Sequence, residues 1–234
     1  MTLTLKDVAD LLNVNEETVD NWILDGKIPA FRIKGQPRFN RSDIEMWVMN
    51  QKGKPKTDVS SSEKTSSQGK SSLGGTQQFS LFRAIHKGNV YHDIPGSSKE
   101  EIIKTVTNEI ASSLHLDGEV MSDLLLEREA LQSTALGHGL AVPHARDFLL
   151  TPYHQDIVSI AFPKEPIDYN ALDGQPIHTL IFLFASSDKR HLHLLSKVAH
   201  LASDPEAALL FKERADKEKI LDFVREWESK IKKT

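Results

Sequence analysis

Apolar residues recur at helical spacing in some stretches of the chain and run together in others. Near the start, Thr4 opens a helix expected over Leu5 to Leu12, with Val8 and Leu12 on one face. A short turn, Asn13–Asn15, follows, and Asn15 caps a second helix from Glu16 to about Leu24. Val19, Trp22 and Ile23 share its inner face, and Gly26 suits its C-terminal stop. Two short helices joined this way form a helix-turn-helix pattern. Between Ile28 and Arg41, apolar residues alternate around Lys34-Gly35-Gln36-Pro37, which predicts a small hairpin, or wing. Ser42-Asp43-Ile44-Glu45 has the S-x-x-E form of a capping box and predicts a third helix carrying Ile44, Trp47 and Val48.

The periodicity resumes beyond Ser80. A helix is expected after Ser97-Ser98, with Ile102, Ile103, Val106, Ile110 and Leu114 on its apolar face. Val120 to Leu131 is expected to be another. Ile157–Phe162 and Thr179–Ala185 are short and apolar, rich in β-branched and aromatic residues, and predict buried strands. Amphipathic helices are expected over His191–Ala202, Asp204–Arg214 and Lys217–Ile231. Strands alternating with helices predict a layered α/β/α domain. The fold class expected for the chain is therefore α/β, with a small winged helix-turn-helix domain ahead of the layered one.

Composition divides the chain. Residues 51–79 hold seven serines, four glycines and five lysines with almost no aliphatic residue. Such a stretch cannot bury enough apolar surface to offset its chain entropy, and it reads as a flexible linker. The expected domains are 1–50, 51–79 as the linker, and 80–234, with no internal repeat. The absence of cysteine excludes a disulfide scaffold, a cysteine nucleophile and a thiolate metal site. No signal peptide or membrane-spanning run is readable, so a soluble cytoplasmic protein without membrane insertion is expected. All ten histidines lie at or beyond His86, which places any imidazole chemistry in the second domain.

Net charge is −4, which gives no global nucleic-acid footprint. Locally the picture differs. Residues 26–42 carry Lys27, Arg32, Lys34, Arg38 and Arg41 with no acid. Five cations on a hairpin can engage phosphates and set the second helix in the major groove, with Thr18 and Asn21 toward base edges. The alternative is an ordinary solvated face on a protein-binding module. The stretch LKDVADLLNVNEETVDNWILDGKIPAFRIKGQPRFNRSDIEMWV resembles the excisionase branch of the MerR-like winged helix-turn-helix family. That resemblance implies sequence-specific DNA binding.

The densest chemistry lies between Arg128 and Arg146. Glycines flank His138, and Pro143 fixes the backbone before His144. Ser133 and Thr134 supply hydroxyls and Arg128 a guanidinium. Such a group suits phosphorylation of an imidazole: one ring nitrogen must be neutral and accessible while the other is held, and donors must surround the phosphoryl oxygens. A second cluster, Lys189-Arg190-His191-Leu192-His193, opens a helix, whose N-terminus favours anions. His191 and His193 are two residues apart and cannot share a helix face, so only one of them is expected to point inward, and His193 is expected at the surface. Three histidines also permit a zinc enzyme, although a Gly-rich approach with Arg128 belongs around an anion.

The pattern RE-x3-ST-x2-G-x-G-x-A-x-PHA, followed by LDGQPIHTLIFLFA and HLHLLSKVAHLASD, resembles the enzyme IIA domain of the fructose–mannitol class of the phosphoenolpyruvate-dependent phosphotransferase system, with the nitrogen-regulatory branch nearest. The resemblance implies that His144 is the phosphoryl acceptor, that His191 is the second active-site histidine and that Arg128 contacts the phosphoryl group. It implies an HPr-type phosphocarrier as upstream partner, no cofactor, and phosphotransferase-type activity. Two functions follow as expectations: a phosphorylated regulator coupled to DNA binding, or a sugar-transport phosphocarrier serving a permease component. No contact surface between the two domains is readable, and no coiled-coil seam for a dimer.

Overall fold

A computed structural model describes residues 2–12, 14–50, 80–150 and 156–231. The linker expected over 51–79 lies outside the described residues. The first module opens with β1 (Thr2–Thr4), then α1 (Leu5–Leu12) and α2 (Glu16–Leu24). Asn15 caps α2 as expected, accepting a hydrogen bond from the backbone N–H of Thr18. The wing is β2 (Phe31–Ile33) paired with β3 (Gln36–Asn40), and β1 adds to the other edge of β3, so the antiparallel order is β1-β3-β2. The third helix, α3, runs Arg41–Asn50. Val8, Val19, Phe39 and Ile44 form a closed core beneath these elements, and Trp22 and Trp47 stack obliquely over it, with centroids 5.2 Å apart.

The second module is built on one mixed sheet. Its strands are β4 (Val90–Ile94), β5 (Ala135–Gly137), β6 (Leu140–Ala141), β7 (His144–Leu149), β8 (Ile157–Pro163) and β9 (Thr179–Ala185). The order is β4-β8-β9-β6-β5, with β7 also pairing to β9. The helices are α4 (Ser80–Lys87), α5 (Lys99–Leu114), α6 (Gly118–Leu131), α7 (Asp188–Ala202), α8 (Pro205–Lys212) and α9 (Lys217–Ile231). Sequence patterning did not anticipate α4, β4, β5, β6 or β7. β8 and β9 are buried throughout because both faces are covered. Ile181, Leu183 and Ala185 face α4, α7 and α9, while Leu180, Phe182 and Phe184 face α5 and α6. This two-residue alternation makes the α/β/α sandwich.

Caps set the helix starts. Ser98 accepts from the N–H of Glu101 ahead of α5, Ser187 from that of Arg190 ahead of α7, and Asp204 from those of Glu206 and Ala207 ahead of α8. The Ser187 cap places the start of α7 three residues earlier than expected from the apolar pattern.

The modules are not separate bodies in this arrangement. Leu192 and Ala199 of α7 complete the same buried cluster as Leu3, Val8, Leu11 and Val48 of the first module. Arg41 bonds Asp188 at 2.9 Å, and Lys189 reaches Asp10 at 3.4 Å.

Candidate functional site

His144 sits at the start of β7, in register with Leu183 of β9. Pro143 separates β6 from β7. It has no N–H to give the ladder, and its carbonyl instead accepts from Leu183 N–H at 3.2 Å. The preceding carbonyl, that of Val142, faces the imidazole: His144 Nδ1 lies 2.7 Å from Val142 O. A carbonyl only accepts, so Nδ1 carries the proton. In the neutral ring Nε2 then holds the lone pair.

His191 stands in the first turn of α7, its ring centroid 5.2 Å from that of His144, with the rings tilted by 39°. His144 and His191 are both buried. His191 Nδ1 faces Arg41 Nη2 at 3.3 Å and Glu45 Oε1 at 3.7 Å. His193 points elsewhere, its Nε2 2.9 Å from Ser80 Oγ. The two histidines diverge as helical spacing requires, but the surface position expected for His193 is incorrect: it is buried beneath α4. Burial, reinforced by nearby Lys197 and Arg190, lowers its pKa to about 4.

Arg128 lies in the last turn of α6, almost wholly buried. It donates from Nη1 to Gln132 O at 3.0 Å, and its Nη2 lies 4.0 Å from Met49 Sδ. The two hydroxyls engage a different group. Thr134 donates to Glu129 at 2.6 Å and lies 3.2 Å from the Tyr169 hydroxyl; Ser133 Oγ reaches Tyr169 O at 3.3 Å. Lys99 also pairs with Glu129 at 3.2 Å. Burial and the Glu129 charge push the Tyr169 phenol well above its ordinary range, so it stays a neutral donor or acceptor.

The glycines around His138 serve the fold. Gly137, His138 and Gly139 all have positive φ, at 86°, 55° and 77°, and make the tight turn between β5 and β6. A Cβ on Gly139 would fall 2.3 Å from the His178 ring. The His138 N–H is held by Asp173 at 2.9 Å. The G-x-G spacing thus reflects a left-handed turn closed over His178. In the second cluster, Arg190 pairs with Asp156, which also accepts from Ser186 N–H and Oγ at 2.8 Å.

The cations of the first module divide. Arg32 and Lys34 are exposed on the wing, Lys27 is exposed between α2 and the wing, and Arg38 is half-buried. Asn21 is exposed on α2, while the Thr18 hydroxyl bonds the capping Asn15 side chain. Arg41 stands apart from them, against Glu45, Asp188 and His191. Sequence reasoning missed Glu45 and Met49 as neighbours of the histidine site. Glu45 was expected to partner Ser42 in a capping box, yet it is wholly buried, 3.2 Å from Arg41 Nε. The signal was there as a stripe: Arg41, Glu45 and Met49 recur at four-residue spacing on one helix face. Among the described residues no three histidine or carboxylate side chains converge as a metal-binding group.

Comparison with known proteins bears on both modules. The family model for the phosphoenolpyruvate-dependent sugar phosphotransferase system, EIIA 2, matches residues 83–227, and a helix-turn-helix domain model matches residues 2–52. A nitrogen regulatory protein of Pseudomonas aeruginosa is 33% identical over 122 residues, covering 51% of this chain and 77% of that one. The fructose-specific EIIABC component of Bacillus subtilis is 29% identical over 149 residues, which are 61% of this chain but 22% of the larger protein. The crystal structure of nitrogen regulatory protein IIA-Ntr from Neisseria meningitidis superposes with a TM-score of 0.51 at 24% identity, covering 57% of this chain and 91% of that one. At that identity the superposition speaks for the fold.

Proposed function

The chain belongs to the EIIA 2 family of the phosphoenolpyruvate-dependent sugar phosphotransferase system, and on that footing we propose that it is a regulator that accepts a phosphoryl group on His144 from an HPr-type carrier and couples that event to DNA binding by its first module. The observation that carries the proposal is the bond from His144 Nδ1 to Val142 O. It holds the ring in the tautomer whose Nε2 lone pair is the nucleophile.

In the transfer, Nε2 forms the new N–P bond. The carrier's N–P bond breaks, and its electron pair returns to the carrier's imidazole nitrogen. The proton stays on Nδ1 throughout, donated to Val142 O, so no separate base is needed. His191 and Arg128 supply donors to the phosphoryl oxygens, worth most in a water-poor site. Ser133 and Thr134 belong to the same proposed phosphate-binding group through the loop they anchor between Glu129 and Tyr169. Lys27, Arg32, Lys34 and Arg38, with Thr18 and Asn21, form the proposed DNA-contacting set, which the helix-turn-helix match supports; Arg41, expected among them, is instead engaged by Glu45, Asp188 and His191. The resemblance to fructose- and mannitol-specific components favours a second role, delivery of the phosphoryl group to a permease component.

The test is direct. The full chain is incubated with labelled phosphoenolpyruvate, enzyme I and the carrier. The expected result is one acid-labile phosphoryl group per chain, absent in His144→Ala. Label that survives this change overturns the assignment.

A further inference from the structure

The first module lies where a phosphocarrier has to dock. One face of α3 spans the site: Arg41 and Glu45 stand against His191, and Met49 against Arg128. These three positions, four residues apart, cover about 12 Å of helix at 1.5 Å per residue. On the same side, α1 and α3 share a buried apolar cluster with Leu192 and Ala199 of α7. The result is complete closure: His144 and its Nε2 atom are out of contact with solvent. A carrier must bring its own phosphohistidine into in-line contact with that nitrogen, over a protein interface of about 800 Å² per partner. Helix α3 and the carrier cannot hold this surface together.

We infer that the first module is a built-in competitor of the phosphocarrier, so that docking of α3 over His144 and phosphorylation of His144 exclude each other. The inference rests on the proposed phosphoryl transfer to His144. Charge favours the same exclusion. A phosphoryl group adds about −1.5 to −2 at neutral pH. It would stand beside His191, where the docked module has already brought the buried carboxylate of Glu45 and where Asp188 lies next to Arg41. Arg41 is already engaged there by two carboxylates, Glu45 and Asp188, so a dianion beside His191 meets added negative charge brought by the docked module in a medium that screens poorly. By linkage, whatever holds the module away from α7 favours the phosphorylated state, and phosphorylation favours release of the module; uptake is also faster from the open state, because the closed one excludes the carrier.

The absence of cysteine allows a direct test in the full chain. Spin labels go on Leu24→Cys and Leu209→Cys, both exposed and outside the seam. Pulsed dipolar spectroscopy is recorded before and after phosphorylation by phosphoenolpyruvate, enzyme I and the carrier. The expected result is a narrow distance distribution that broadens as the phosphoryl group is incorporated. A second variant, Asp188→Arg, turns an attraction with Arg41 into a repulsion. It is expected to broaden the distribution without phosphorylation and to speed phosphoryl uptake roughly tenfold. A distribution that stays narrow after stoichiometric phosphorylation overturns the inference, as does an Asp188→Arg chain that is released but no faster. A chain that takes no phosphoryl group, docked or released, overturns the functional reading itself and this inference with it.

Discussion

A single carbonyl decides the chemistry of His144. Val142 O fixes which ring nitrogen keeps its proton. His193 shows the opposite use of an imidazole. It is held neutral by burial, with a pKa near 4 against about 6.5 for an unhindered ring. Between those values the unfolded chain binds a proton that the folded chain refuses. Stability from this group is therefore intact above about pH 6.5 and falls as pH drops toward 4, by at most about 3 kcal/mol. His178 and His200 are shifted in the same direction, first by burial. Urea titrations at pH 4.5 and 7 are expected to show this loss, and His193→Gln to show a smaller one. An unchanged pH dependence in the variant would place the loss in other groups.

The element that orders the site is the short run from β5 through the glycine turn to β7. Its residues were conspicuous in the sequence, yet no periodicity announced β5, β6 or β7, because each is brief and exists only against β9 or its own hairpin partner. By contrast β9 and α9 were legible to their end residues, since one is a continuous apolar run and the other a sustained helical pattern. Gly139 is the tightest point of the turn. Adding a methyl group there meets the His178 ring at 2.3 Å and strains a backbone at φ +77°. Gly139→Ala is expected to lose about 2–4 kcal/mol in chemical unfolding. A loss below about 0.5 kcal/mol, the range of an ordinary surface change, would show that the turn can open without disturbing the fold.

At the scale of the whole molecule, the two modules and their family were readable, but their contact was not. Residues 1–50 and 80–234 each carry a self-contained pattern; the seam between them is made of half-polar positions on α1, α3 and α7 that look like ordinary helix surface. Glu45 is the clearest case, a carboxylate that suits a capping box by sequence and is buried beside a foreign histidine in the fold. The wing, with Arg32 and Lys34 exposed, and the adjoining Lys27 remain open in the docked arrangement. In the full chain, Lys34→Ala and Arg38→Ala are expected to weaken binding to all DNA sequences alike and to reduce the salt slope by about one each. A change confined to one base position would mean that these residues read bases instead. The central claim is narrower than DNA binding: the nucleophile is Nε2 of His144. Long-range proton–nitrogen correlation spectra of the ¹⁵N-labelled, phosphorylated chain resolve which ring nitrogen carries phosphorus. The account predicts a single phosphohistidine, at Nε2 of His144, with Nδ1 still protonated; phosphorus on Nδ1, or on any other histidine, contradicts it.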